Sequence, residues 1–136
     1  MIAWQSNDQD GWRGTEMLQQ IVRLTVSFSV DESHLEAFKR IAATMTERSK
    51  AEPGTLGYEW FVSSDSRRFR LVETYSDATA VEAHFTGTVV QEWVPKLAAV
   101  STVDGFEFYG DPGPKVAAMA AGFGAAFYEY WLGIER

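Results

Sequence analysis

The chain contains no cysteine, which excludes disulfides, thiolate metal sites and cysteine nucleophiles together. Histidine is nearly as scarce. His34 and His84 are the only two in 136 residues, and they stand far apart with no H-E-x-x-H or comparable metal-ligand spacing. Positive charge is also short: twelve Lys and Arg against nineteen Asp and Glu give a formal net charge of −7. A nucleic-acid binder needs a basic footprint to displace counterions. The one local basic cluster, Arg67, Arg68 and Arg70, falls where a hairpin turn is expected, and an anionic membrane surface would repel the chain. Long apolar runs are missing too. The longest weakly polar stretch, 116–128, is mostly Ala and Gly and falls short of the roughly 20 residues that span a bilayer. The first 20 residues lack the apolar core of a signal peptide. These absences predict a cytoplasmic protein with no metal, no nucleic acid and no membrane among its partners.

What the chain does have is apolar and aromatic mass. Its apolar fraction of 46% suits a packed core, and its length suits one domain. Aromatics make up 14% of the residues, enough to fill a core and also line a pocket or an interface.

Residues 1–19 are rich in Gln, Asn, Asp and Gly, with Trp4 and Trp12 as large anchors, and read as a loose arm. Val22, Leu24, Val26, Phe28 and Val30 alternate with Arg23, Thr25, Ser27 and Ser29, the period of a strand. Ser33-His-Leu-Glu36 has the form of a capping box. After it Leu35, Phe38, Ile41, Ala42 and Met45 make the stripe of a helix over 33–50. The breaker-rich turn Glu52-Pro-Gly-Thr-Leu-Gly57 leads to a strand in which Leu56, Tyr58, Trp60 and Val62 share a face. Phe69, Leu71, Glu73 and Tyr75 share a face of the next. Asp77 suits a helix cap, and Val81, His84 and Phe85 follow at helical spacing. Gly87 should break this helix and Pro95 kink its second piece. A last strand covers 101–109. Pro114 then opens a helix carrying Val116, Met119, Ala120, Phe123 and Phe127.

The order is β-α-β-β-α-β with an extra C-terminal helix, an α+β class of ferredoxin-like pattern. It divides into an arm (1–19), a ferredoxin-like domain (20–110) and a helical extension (111–136). Helices cover one face of such a sheet. If Trp60 or Tyr75 stands on the other, a second chain must cover it, and a homodimer packed sheet on sheet follows.

Glu52-Pro-Gly-Thr-Leu-Gly-Tyr-Glu59, Arg68-Phe-Arg-Leu-Val-Glu73-Thr-Tyr75, Asp77 and Glu82-Ala-His84-Phe85 together resemble the antibiotic biosynthesis monooxygenase family, which includes quinol monooxygenases. The resemblance runs from about Gln20 to Tyr109. It implies a dimeric α+β barrel with a cavity in each subunit for a small aromatic or quinol-like molecule. It also implies oxygen chemistry that needs neither metal nor flavin, hence no cofactor. Two positions depart from the pattern. Tyr75 stands where many relatives carry Trp, and the first strand lacks the Asn of haem-degrading relatives, which argues against haem degradation.

Within that frame His84 is the candidate catalytic residue, because an imidazole can take a proton from a phenol or hydroquinone near neutral pH. Phe85, Trp60 and Phe28 would wall it from water. Glu73 could orient His84 or a substrate hydroxyl, or pair with Arg23, and Tyr75 could stack on a ligand or sit in a dimer core. The leading reading is a cofactor-independent monooxygenase of a small aromatic or quinol. A non-catalytic dimeric small-molecule-binding or stress-associated module, and an isomerase or cyclase in which His84 shuttles a proton, stand beside it.

Overall fold

The computed structural model describes residues 18–136. Most of the expected N-terminal arm, Trp4 and Trp12 included, lies outside the described residues.

The alternation in the first strand becomes β1 (Val22–Ser29), with Val22, Leu24 and Phe28 buried and Arg23 exposed. A tight turn over Glu32–His34 leads into α1 (Leu35–Ser49). The expected capping box does not form. The tight turn moves the helix start to His34, so Ser33 sits inside it rather than ahead of it, and no side chain caps the helix. The buried stripe of α1 is Phe38, Ala42, Met45 and Ser49, one helical face at spacings of three and four.

β2 (Thr55–Val62) and β3 (Arg68–Tyr75) form the central hairpin. Asp77 caps α2 (Ala78–Thr86) by accepting the Ala80 backbone N–H at 2.9 Å, and Gly87 ends the helix. Beyond it the chain widens into a π-helical turn over Val89–Trp93 before α3 (Val94–Ala98). Pro95 therefore stands in the first turn of a new helix instead of kinking an old one. A proline interrupts the ladder of a continuous helix, and the widened turn precedes that interruption. β4 (Thr102–Tyr109) completes the core of the fold.

The sheet runs β2-β3-β1-β4 and ends on a short fifth strand, β5 (Ala126–Tyr128), antiparallel through its first four strands, with helices on one face as the ferredoxin-like order requires. Among the described residues no helix is long and apolar enough to cross a membrane.

The C-terminal extension differs from expectation. α4 covers only Pro114–Ala121. Gly122 ends it, Gly124 turns the chain at φ +78°, and Ala126–Tyr128 forms β5, parallel to β4. The four-residue spacing of Phe123 and Phe127 reads as helical, but Gly122 and Gly124 on either side of Phe123 weaken a helix. Phe127 instead stacks on Phe108 with ring centroids 5.5 Å apart.

Sheet alternation also overturns the placement of Trp60 and Tyr75 on a face needing a second chain. Both share the helix side with Leu24 and Leu71, and Tyr75 is fully buried. The uncovered face carries Arg23, Thr25, Glu59, Phe61, Arg70, Val72, Glu107 and Tyr109.

Two aromatic clusters fill the helix side. One gathers Phe28, Phe38, Phe69 and Leu71 under α1, and the other Val22, Tyr75, Phe85 and Phe108 under α2 and α4. Phe38 touches three rings at centroid distances of 4.7 to 5.8 Å. Phe38→Ala should lower the unfolding free energy by about 3–5 kcal/mol, measured by urea denaturation. A loss below about 1 kcal/mol would mean that this cluster collapses to fill the void.

Candidate active site

Glu73 lies on β3 between the two strands that flank it, with Leu24 opposite on β1 and Tyr58 opposite on β2. Strand periodicity aims all three at the helices. The same strand brings Tyr75 inward two residues later. From above, α2 presents Val81, His84 and Phe85 as its buried residues. Sheet and helix thus deliver Glu73, Tyr75, Tyr58 and His84 to one point in the core.

His84 is 2% exposed. Its Nδ1 stands 2.7 Å from Glu52 Oε1. Glu52 lies in the turn between α1 and β2, and the Thr55 hydroxyl donates to the same oxygen at 2.8 Å. Nε2 stands 3.6 Å from Glu73 Oε1, too long for a hydrogen bond, and makes none among the described residues. The Tyr75 hydroxyl donates to Glu73 Oε1. The rings of Tyr75, Tyr58 and Phe85 surround the imidazole at centroid distances of 5.3, 5.7 and 6.0 Å.

A carboxylate accepts but does not donate, so the contact to Glu52 assigns the ring proton to Nδ1. Neutral His84 then keeps its lone pair on Nε2. Burial pushes the Glu73 carboxyl above the usual carboxylate range, against the opposing pull of His84 and the Tyr75 hydrogen bond. Burial likewise raises both phenols. Tyr75 is raised further by the Glu73 charge and hydrogen bond, and Tyr58 by the Glu73 and Glu52 charges. The cluster is therefore a set of proton-holding groups around one free nitrogen.

Of the residues singled out in the sequence, the structure brings together His84, Glu73, Tyr75 and Phe85. Trp60 and Phe28 stand apart from them. Trp60 donates its indole N–H to Thr46 Oγ1 at 2.8 Å and packs at 5.8 Å from both Phe28 and Phe38. Tyr58 lies between the two groups, 6.1 Å from Trp60. The pairing of Glu73 with Arg23 is also corrected, since Arg23 sits opposite Thr74 and points to the uncovered face.

Sequence reasoning missed Glu52 and Tyr58 as members of the site. Glu52 had a signal, because it opens the Glu52-Pro-Gly motif, but a carboxylate in a breaker-rich turn reads as solvated. Tyr58 had only its place on a strand face with Leu56, Trp60 and Val62. No group of three or more His, Asp or Glu side chains among the described residues is arranged to hold a metal ion.

A cavity of about 570 Å³ lies elsewhere, between Gln19, Gly110–Pro112, Ala117, Phe127 and Tyr128 of β5, and Glu129 and Tyr130 beyond it. It shares no residue with the histidine cluster.

The profile of the antibiotic biosynthesis monooxygenase family matches residues 21–96, more than half of the chain. No curated protein matches the chain in sequence. Among solved structures, MupZ from Pseudomonas fluorescens is 24% identical with a TM-score of 0.75, covering 86% of this chain and 95% of its own. That share is too large to end at Tyr109, so the likeness in fold reaches the C-terminal extension. A proposed antibiotic biosynthesis monooxygenase from Nitrosomonas europaea is 26% identical over 71% of this chain and 94% of its own, with a TM-score of 0.60. Another from Caulobacter crescentus is 18% identical over 69% and 92%, with a TM-score of 0.58.

Glu73→Gln removes the buried charge and keeps an acceptor for Tyr75. A carboxyl whose folded-state pKa is raised stabilises fully below its unfolded-state pKa of about 4.3, and that contribution is lost as pH rises through the folded-state value. The melting temperature of the variant minus that of wild type should therefore become more positive from pH 4 to pH 8. A difference that is constant with pH would show that burial does not control this carboxyl.

Proposed function

The chain belongs to the antibiotic biosynthesis monooxygenase family, and from that premise we propose that it is a cofactor-independent monooxygenase of a small aromatic or quinol-type substrate. One observation carries the reading: a buried imidazole with Nδ1 bonded to a carboxylate and Nε2 unclaimed. Such a nitrogen is placed to remove a proton from a phenol or from an activated ring carbon. The anion that results is a far better electron donor to dioxygen than the neutral substrate. Its carbon bonds to one oxygen atom, giving a peroxide. Return of the proton from His84 and loss of water across the O–O bond leave a carbonyl, so one oxygen enters the product and the other departs as water. The surrounding rings of Phe85, Tyr58 and Tyr75 keep bulk water from reprotonating the anion. The reaction is assigned to the cytoplasm, in keeping with the acidic, cysteine-free composition.

We further propose a homodimer through the uncovered sheet face. Phe61 and Tyr109 stand on it at 54% and 36% exposure, and its charges are mixed, with Arg23 and Arg70 near Glu59 and Glu107. Phe61→Arg should convert a dimer to a monomer in sedimentation equilibrium. A wild-type monomer at micromolar concentration would overturn this assembly.

A second reading, a binding module without chemistry, is favoured by the separation of the C-terminal cavity from the histidine cluster. Oxygen uptake decides between the two. With a panel of hydroquinones and anthrone-like phenols, wild type should consume oxygen. His84→Ala should be slower by about 10²–10⁴-fold in kcat. Unchanged turnover would remove His84 from the mechanism. No uptake by wild type across the panel would favour the binding module.

A further inference from the structure

The turn between α1 and β2 is built to hold one carboxylate against His84. The Glu52 backbone N–H bonds to Ser49 O at 3.0 Å, and the Thr55 N–H returns to Glu52 O at 3.1 Å. The Ser76 N–H, just ahead of α2, bonds to Gly54 O at 3.0 Å. Gly54 lies so close to α2 that a Cβ on it would overlap the Ala80 methyl. Ala80 and His84 are one helical turn apart on the same face. Seating Gly54 on Ala80 therefore seats Glu52 on His84. The Thr55 hydroxyl donates to Glu52 Oε1, the same oxygen that meets His84 Nδ1, and so helps fix the carboxylate.

We propose that Glu52 is a positioning residue. It locks His84 in the tautomer with the proton on Nδ1, so that the basic lone pair stands at Nε2, and its charge compensates the imidazolium formed when Nε2 takes a proton. The proposal rests on the reading of His84 as the proton acceptor. The titratable groups facing the imidazole are Glu52 from the turn, Tyr58 from β2, and Glu73 and Tyr75 from β3. Both phenols are held protonated, and Glu73 is 3.6 Å away on the opposite nitrogen. Among the described residues Glu52 is thus the one group hydrogen-bonded to the ring. Its side chain is 23% exposed against 6% for Glu73, so its charge is better solvated than one on Glu73.

The test uses the full chain, with His84 read by ¹⁵N NMR of its ring nitrogens and activity read as kcat and KM against pH. Wild type should show the proton of the neutral ring on Nδ1. Glu52→Ala removes the acceptor, and the Nδ1–H tautomer should cease to dominate. Glu52→Gln keeps an acceptor oxygen but no charge. It should retain the tautomer while kcat falls by about tenfold or more, the equivalent of one pKa unit of lost charge compensation, and KM stays within about twofold. The acidic limb of the pH profile should move to lower pH, and Glu52→Asp should recover part of the rate. A wild-type ring protonated on Nε2, or a tautomer ratio unchanged in Glu52→Ala, would overturn the proposal. If Glu52→Ala does not fold, an unmoved acidic limb in Glu52→Gln overturns it instead. The NMR arm needs no turnover. A wild type without oxygen uptake but with the expected tautomers would defeat the oxygenase reading and leave the role of Glu52 standing.

Discussion

Glu73 is a carboxyl group in a hydrophobic core, and much of the architecture around it follows from that constraint. An unpaired polar group in such a place costs several kcal/mol, and an unpaired charge far more. Among the described residues no Lys or Arg pairs with it. The chain meets the demand with a phenol from the same strand, Tyr75, and an imidazole from the facing helix. Burial raises the carboxyl above the usual carboxylate range, because desolvation penalises its charged form. A structural pair would be cheaper to build from two apolar side chains. An acid, a base and two phenols at one point are the groups that the proposed proton transfer would use.

The fold delivers these groups through ordinary local rules. Strand alternation turns Glu73 and Tyr75 to the same side as Tyr58. The Asp77 cap fixes where α2 begins, and that start sets which of its residues look inward. Gly54 removes the side chain that would otherwise hold the Glu52 turn away from α2. Each device acts a few residues from the group it positions, so the site depends on backbone register more than on any loop conformation of its own.

That dependence explains what the sequence could and could not convey. The period-two pattern of Val22 to Phe28 and the order of strands and helices were legible, because alternation and helical spacing are backbone properties. Glu73, Tyr75, His84 and Phe85 were legible as a group because they sit on regular elements that a ferredoxin-like order brings together. Glu52 was not, since its role comes from a turn whose docking depends on a missing side chain at Gly54, and an absent contact leaves no mark in a periodicity. Phe28 and Trp60 share the correct face but stand farther along the strands. Sheet face is readable from sequence, while distance along the sheet requires the register. At the C-terminus, Ala-rich spacing favoured a long helix, and the Phe108–Phe127 stack with the backbone bond from Gly110 N–H to Tyr128 O at 2.8 Å favoured a strand. Tertiary contact overrode local propensity.

The distribution of charge in the cluster bears on which chemistry it can support. Glu73, Tyr58 and Tyr75 are all shifted toward their protonated forms, so the deep side of the imidazole is lined by neutral groups. The carboxylate that bonds Nδ1 stands at the rim. An anion formed beside Nε2 would therefore stand next to the Tyr58 phenol and a Glu73 carboxyl shifted toward its protonated form, which already accepts the Tyr75 hydroxyl. Donors aimed at developing negative charge in a water-poor site stabilise it more than the same donors in water. A full negative charge on Glu73 would repel that anion. The raised carboxyl of Glu73 and the basic role proposed for His84 are thus compatible parts of one electrostatic arrangement.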